Sequence, residues 1–269
     1  MTGRPVLVGL PYDASSSFLP GAAEAPRHIR AALVSPAGNG WSEMMIDVIS
    51  PPQGLEDHGD LDLRPDASAR DAIEQSIAAL ALSNRRFIAL GGDHSVTYPV
   101  LRGLSRRYDR LTILQVDAHP DLYDEFEGDR YSHACPFARI MEDGVAQRLV
   151  QVGIRAMSGA QVAQVRRFGV EQIDMRAWSD GARPSLAGDV YLSIDLDGID
   201  PAFAPGVAHP EPGGLAVREV IDIIQSQNGR LIGADIVELN PRRDPAGLTA
   251  AVAAKLVKEL AGRYLADGV

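Results

Sequence analysis

Leu111-Thr-Ile-Leu-Gln-Val116 is a mostly apolar run that leads directly into Asp117-Ala-His119-Pro120-Asp121. Continuous apolar runs are typical of strands that are buried on both faces of a parallel sheet. In extended chain, alternate side chains point to the same side, so Asp117, His119 and Asp121 can converge. Pro120 cannot donate to a sheet ladder, which places the polar cluster at the exit of the strand. The segment therefore predicts a buried strand with ligand-binding side chains at its carboxyl end.

Similar apolar runs recur along the chain with helical patterns between them. The predicted strands are 6–10, 45–49, 87–90, 111–116, 149–152, 170–173, 190–194 and 231–236. The predicted helices are 25–33, 67–82, 98–107, 137–143, 159–168, 217–227 and 247–264, and the predicted loops are 35–40, 51–59 and 200–214. Strands that alternate with helices predict an α/β layer fold with right-handed crossovers. We expect one domain over residues 1–269.

Composition limits the classes of function. The 269 residues include 36 acidic and 26 basic side chains, for a net charge of -10, which argues against nucleic acid as a partner. No apolar stretch approaches the roughly 20 residues that span a bilayer, and no signal peptide is recognisable, so no membrane partner is expected. Cys135 is the only cysteine, which excludes an intrachain disulfide. From these features we expect a cytoplasmic location.

Three other predicted strands also run into polar residues. The strand at 87–90 leads to His94, the strand at 190–194 leads to Asp195 and Asp197, and the strand at 231–236 leads to Glu238. In open parallel sheets, ligands bind beyond the carboxyl ends of the strands. Two imidazoles and four carboxylates packed together would be very costly unless metal ions balance their charge.

The number and type of these side chains indicate a particular metal centre. The six candidate ligands are His94, Asp117, His119, Asp121, Asp195 and Asp197. Six ligands exceed the three or four of a single zinc site, but suit two ions about 3.5–4 Å apart that share carboxylates. An oxygen-rich set with two histidines and no thiolate favours Mn²⁺ over zinc.

The motifs also resemble those of a known family. Gly91-Gly-Asp-His-Ser95, Asp117-Ala-His-Pro-Asp121 and Ser193-Ile-Asp-Leu-Asp-Gly-Ile-Asp-Pro201 are similar to the three signature motifs of the ureohydrolases, the arginase and agmatinase family. Ser16-Ser-Phe-Leu-Pro-Gly21 and Ala204-Pro-Gly-Val-Ala-His209 resemble plant-type arginases in particular. The resemblance implies a single-domain, three-layer fold with a parallel eight-stranded sheet flanked by helices. It also implies a small guanidino substrate, hydrolysis that releases urea, and a homotrimer or homohexamer.

The resemblance further implies a role for each site residue. One Mn²⁺ would be bound by His94, Asp117, Asp121 and Asp195, and a second by His119, Asp117, Asp195 and Asp197. A hydroxide between the two ions would attack the guanidino carbon, with Asp121 orienting it. Glu238 would hold the guanidinium group, and His133 would transfer a proton to the leaving amine.

The choice of substrate depends on residues farther from the metals. The resemblance to plant-type arginases favours L-arginine, with agmatine, which lacks the α-carboxylate, as the alternative. Asp129, Ser158 and His209 are candidate substrate contacts, and an acidic Asp129 would disfavour a carboxylate nearby. Two other classes stay open: a deacetylase-like protein with a single zinc, although no two histidines are adjacent here, and a non-catalytic relative.

Overall fold

Eight parallel strands form one sheet in the computed structural model, which describes residues 3–267. The strands are β1 (Val6–Gly9), β2 (Glu56–Asp60), β3 (Phe87–Leu90), β4 (Thr112–Val116), β5 (Arg148–Val152), β6 (Glu171–Ile173), β7 (Asp189–Asp195) and β8 (Arg230–Val237). Their order across the sheet is β2-β1-β3-β8-β7-β4-β5-β6. The strands β3, β8, β7 and β4, which carry the candidate ligands at their carboxyl ends, are therefore neighbours in the centre.

Helices cover both faces of the sheet. They are α1 (Ala25–Leu33), α2 (Ser68–Leu82), α3 (Thr97–Leu104), α4 (Pro136–Glu142), α5 (Gly159–Phe168), α6 (Met175–Ser179), α7 (Val217–Ser226) and α8 (Leu248–Ala266). On one face, α1, α7 and α8 pack against side chains such as Leu114 of β4. On the other, α2, α3 and α4 pack against side chains such as Ile113 of the same strand. This arrangement confirms the predicted three-layer α/β fold.

One predicted strand is wrong. Residues 45–49 form an irregular bend in which Met45 has a positive φ of 60° and Asp47 makes an isolated bridge to Trp41. Their buried Val48 packs in the core beside the helices instead of pairing in the sheet. The strand at the β1 edge of the sheet is instead β2, whose sequence Glu-Asp-His-Gly-Asp falls partly within the predicted loop 51–59. An edge strand needs no apolar face, so β2 has no hydrophobic pattern to reveal it. The short helix α6 was also not predicted.

Close backbone contacts fix the loops at the carboxyl edge of the sheet. A Cβ atom at Gly92 would lie 1.8 Å from the carbonyl oxygen of Tyr12, so only glycine fits between β3 and His94. A Cβ atom at Gly198 would lie 2.8 Å from the backbone nitrogen of Asp117. These two glycines allow the loops that carry the candidate ligands to approach one another.

Candidate metal centre and active-site cavity

Two groups of candidate metal ligands meet at the carboxyl ends of the central strands. His94, Asp117, Asp121 and Asp195 form one group, and Asp117, His119 and Asp197 form the other, with ligand atoms in each group within 4.8 Å of one another. In the first group, His94 Nδ1 lies 3.2 Å from Asp117 Oδ2, 2.9 Å from Asp121 Oδ2 and 3.1 Å from Asp195 Oδ2. All six residues that the sequence proposed as ligands therefore come together, with Asp117 common to both groups.

The hydrogen bonds behind His94 leave one ring nitrogen available. The Ser193 hydroxyl donates to Asp235 Oδ1 at 2.7 Å, so its oxygen can accept from His94 Nε2 at 3.0 Å. Asp235 also accepts from the hydroxyls of Thr97 and Tyr191, each at 2.7 Å. The buried Nδ1 of His94 has no hydrogen-bond partner among residues 3–267 and faces the carboxylates. An imidazole held in this tautomer is suited to binding a metal ion through Nδ1.

The negative charges of the cluster need compensation, either by protons or by a bound cation. Burial, followed by the nearby Asp197 and Asp121, raises the pKa of Asp117 to about 7. Burial alone would lower the pKa of His119, but the carboxylates of Asp197 and Asp117 outweigh it and raise that pKa to about 11. Protons therefore compensate the carboxylates when no metal is bound, and a metal ion would replace them.

Two site residues have strained backbones. Asp121 and Glu238 have positive φ angles of 50° and 65°, in the left-handed region that side chains other than glycine seldom adopt. In this conformation Glu238 accepts the backbone N–H of His94 at 2.8 Å. Strain of this kind persists only where the surrounding structure enforces it, and it is concentrated at functional sites.

His133 lies beside Glu238. Its Nδ1 is 3.4 Å from Glu238 Oε1, and its Nε2 is 2.8 Å from the hydroxyl of Ser17. The ring of His209 stacks on His133, with centroids 5.2 Å apart. Burial would lower the pKa of His133, but Glu238 overcomes this effect and raises the pKa to about 9. In the metal-free protein, His133 therefore keeps its proton at neutral pH.

These groups line a cavity of about 350 Å³. Its walls comprise Ser17, His119, Asp121, Tyr123, Phe126, His133, Ala134, Ala156, Met157, Ser158, Gln161, Asp195, Asp197, His209 and Glu238. Of the three candidate substrate contacts, Ser158 and His209 belong to the wall. Asp129 does not, and its carboxylate accepts the backbone N–H of Tyr131 at 2.8 Å.

Sequence analysis did not identify Ser17 or Gln161 as site residues. Ser17 lies in the loop after β1, within the Ser16–Gly21 segment that resembles plant-type arginases, but nothing in that segment indicates proximity to His133. The position of Gln161 in the first turn of α5 could have been predicted, because Ser158 and Gln161 have the spacing of a helix capping box.

Arg155 connects the loops around the cavity. Its guanidinium donates to the carbonyl oxygens of Asp197 and Glu211, both at 2.6 Å, and to that of Gly198 at 3.1 Å. The planar fork of five donors allows one side chain to hold several carbonyls. Arg155 thereby holds the Asp197 loop against the loop that follows His209.

The fold and the site define an α/β protein with a parallel sheet and, at its carboxyl edge, a buried His/Asp cluster that could hold metal ions. The model described as "Arginase family" matches residues 4–262, and the chain belongs to the arginase family, a family of hydrolases. "Arginase 1, mitochondrial" of Arabidopsis thaliana is 45% identical, over 96% of this chain and 80% of that protein. An N(1)-aminopropylagmatine ureohydrolase of Thermus thermophilus is 35% identical, over 88% and 83% of the two chains. Arginase from Medicago truncatula superposes with a TM-score of 0.90 at 42% identity, covering 97% of this chain and 87% of its own.

These relatives contradict the expected cytoplasmic location. The plant arginases are named as mitochondrial or chloroplastic/mitochondrial, which points to an organelle. The expectation was wrong because composition and charge cannot distinguish one aqueous compartment from another. Within residues 3–267, no helix is both long and apolar enough to cross a membrane.

Proposed function

We propose that this chain is a binuclear manganese hydrolase that converts L-arginine to L-ornithine and urea. The observation that carries the proposal is the pair of ligand groups sharing Asp117, in a chain 43–45% identical to plant arginases. The ureohydrolase named for an agmatine derivative is more distant, at 35% identity. Agmatine is therefore the second candidate substrate.

The donor set fits two Mn²⁺ ions. Four carboxylates and two imidazoles without a thiolate suit Mn²⁺, and a shared Asp117 suits two adjacent ions. We propose that Asp195, which lies in the first group, also bridges to the second ion. When bound, such ions polarise water near neutral pH and balance negative charge.

The chain's own residues supply the remaining chemistry. Glu238, held by the backbone N–H of His94, would accept hydrogen bonds from the guanidinium group of the substrate. His133, protonated beside Glu238, would donate a proton to the nitrogen of the departing amine. Asp121 would hold the attacking water in line with the guanidino carbon.

Metal counting combined with urea release tests this proposal. The chelated chain should recover activity with Mn²⁺ and bind close to two ions. Asp117→Asn should lose both properties because it alters the shared ligand, whereas Asp109→Asn, at an exposed position, should retain them. One tightly bound zinc without urea release would favour a deacetylase-like protein, and metal binding without turnover of any guanidino compound would favour a non-catalytic relative.

We also propose that residues 1–269 form one domain and that the chain assembles as a homotrimer or homohexamer, as the family resemblance implies. Light scattering on the purified protein tests the assembly, and a monomer in solution would contradict it.

A further inference from the structure

The two ring nitrogens of His133 have different partners. Nδ1 lies 3.4 Å from Oε1 of Glu238, the proposed partner of the guanidino group, whereas Nε2 lies 2.8 Å from the Ser17 hydroxyl. A protonated imidazole has two N–H donors and no acceptor, so the Ser17 oxygen accepts the Nε2–H when His133 is protonated. The Ser17 contact therefore directs Nε2 towards the loop after β1 and leaves Nδ1 on the side of the substrate.

The stacked ring of His209 cannot by itself fix the orientation of His133. The two rings have centroids 5.2 Å apart and an angle of 22° between their planes. Stacking restrains the plane of the His133 ring, but a half-turn about its Cβ–Cγ bond keeps that plane and exchanges nitrogen with carbon positions. Glu238 would be shared with the guanidinium group once a substrate is bound. The hydrogen bond to Ser17 is then the directional contact that selects one of the two ring orientations.

The loop after β1 holds Ser17 in a defined position, although the Ser17 side chain is exposed. Two residues before it, the Ser15 carbonyl accepts the backbone N–H of His133 at 3.1 Å. Two residues after it, the Leu19 carbonyl accepts a hydrogen bond from the Asn240 side chain at 2.7 Å. Because both sides of the loop are anchored, little conformational entropy is lost when the Ser17 hydroxyl contacts the imidazole.

From these contacts we propose that Ser17 is a positioning residue that holds His133 in the tautomer protonated on Nε2, so that Nδ1 donates the proton. This inference rests on the proposed function. As the bond between the guanidino carbon and the departing nitrogen breaks, its electron pair stays on that nitrogen, which takes the proton from Nδ1. The neutral imidazole keeps its Nε2–H bond to Ser17, and Nδ1 regains a proton from water. The ring therefore needs no change of tautomer between turnovers.

Ser17→Ala removes the acceptor, and Ser16→Ala is the matched control one residue earlier, where the hydroxyl contacts Asp93 at 3.3 Å. In Ser17→Ala, kcat should fall about 10-fold with KM within about 2-fold of native, since the hydrogen bond to a charged ring is lost. Ser17→Thr, which retains the hydroxyl, and Ser16→Ala should each keep kcat within about 3-fold of native. Equal losses of kcat in Ser17→Ala and Ser16→Ala, or an effect of Ser17→Ala on KM alone, would overturn the inference.

A double-mutant comparison separates positioning of His133 from a merely structural role of Ser17. If Ser17 acts through His133, Ser17→Ala should lower kcat by less than about 2-fold in a chain that already carries His133→Ala. A further loss of about 10-fold in that background would show that Ser17 acts independently of His133, which contradicts the inference.

The contact can also be measured without turnover. Diethyl pyrocarbonate acylates accessible imidazole nitrogens, and peptide mass mapping of the metal-free protein gives the rate at each histidine. Ser17→Ala should raise the rate at His133 at least about 3-fold because Nε2 loses its partner, while the exposed His58 of β2 should react as in the native chain. An unchanged rate at His133 would refute the proposed contact. A native chain that releases urea from neither L-arginine nor agmatine would instead refute the proposed function, so the two failures are distinct.

Discussion

His133 and Cys135 lie two residues apart, and their environments give them opposite reactivity. Glu238 keeps His133 protonated near neutral pH, whereas burial raises the pKa of the Cys135 thiol to about 12. A thiol with such a pKa is almost entirely protonated, and the thiolate is the nucleophilic form. The structure thus supports acid catalysis by His133 and opposes a thiol mechanism.

We predict that His133→Ala lowers kcat by roughly 10²–10³-fold, within the range of general acid–base contributions, while Mn²⁺ content stays unchanged. Cys135→Ser should change kcat by less than about 3-fold, because within residues 3–267 the thiol makes a single, weak hydrogen bond, to the Asp129 carbonyl. Urea release and metal content measured on both variants test this pair. A larger loss in Cys135→Ser than in His133→Ala would instead indicate that the Cys135 thiol acts as a nucleophile.

The hydrophobic pattern predicted the buried strands but missed β2, whose position is explained by contacts between charged side chains. The central strands β3, β4, β7 and β8 are continuous apolar runs, so their positions were predicted within one or two residues. β2 is polar and borders only β1, and its position depends on tertiary contacts. Arg30 of α1 donates to the carboxylates of Asp57 and Asp60 and to the carbonyl of Gly59. Sequence periodicity carries no information about such a contact.

Arg30→Met should therefore loosen the edge of the sheet. We expect a loss of about 2 kcal/mol in the free energy of unfolding, because several charge-assisted hydrogen bonds disappear, with faster amide exchange in β2. Arg27→Met, on the same helix, removes only an exposed pair with Glu24 and should cost less than about 0.5 kcal/mol. Denaturant unfolding with hydrogen exchange measures both variants. Similar stability losses in the two would show that the Arg30 contacts do not hold β2.

The convergence of the candidate metal ligands could be predicted from the sequence, whereas most of the cavity wall could not. Parallel strands end at the same edge of a sheet, so polar residues after β3, β4 and β7 had to meet. The wall instead combines Ser17 from the loop after β1, Gln161 from α5 and His209 from the loop before α7. These loops converge only through long-range packing, so no local pattern places their side chains next to one another.

The concentration of buried ionisable groups makes the stability of the whole protein depend on pH and metal. Asp117 has a folded pKa of about 7, against about 3.9 in an unfolded chain, and His133 has about 9, against about 6.5. Both folded values are raised, so the stability each group contributes is complete below its unfolded pKa and is lost as pH rises through its folded pKa. The raised pKa of His119, about 11, likewise makes the stability of the folded protein decrease as pH rises. The lowered pKa of Asp197 has no effect here, because this group is ionised in both states above about pH 5.

We therefore predict that the melting temperature of the metal-free protein falls steadily from pH 6 to pH 9. Mn²⁺ should oppose the fall, since a bound cation replaces the protons that balance the carboxylates and stabilises only the folded chain. The increase in melting temperature on adding Mn²⁺ should consequently be larger at pH 8.5 than at pH 6.5. Calorimetric scans of chelated and Mn²⁺-loaded protein across this range measure both effects, with Mg²⁺ as the control for nonspecific screening. A metal-free protein that becomes more stable towards pH 9 would show that the buried cluster does not hold its protons as the structure implies.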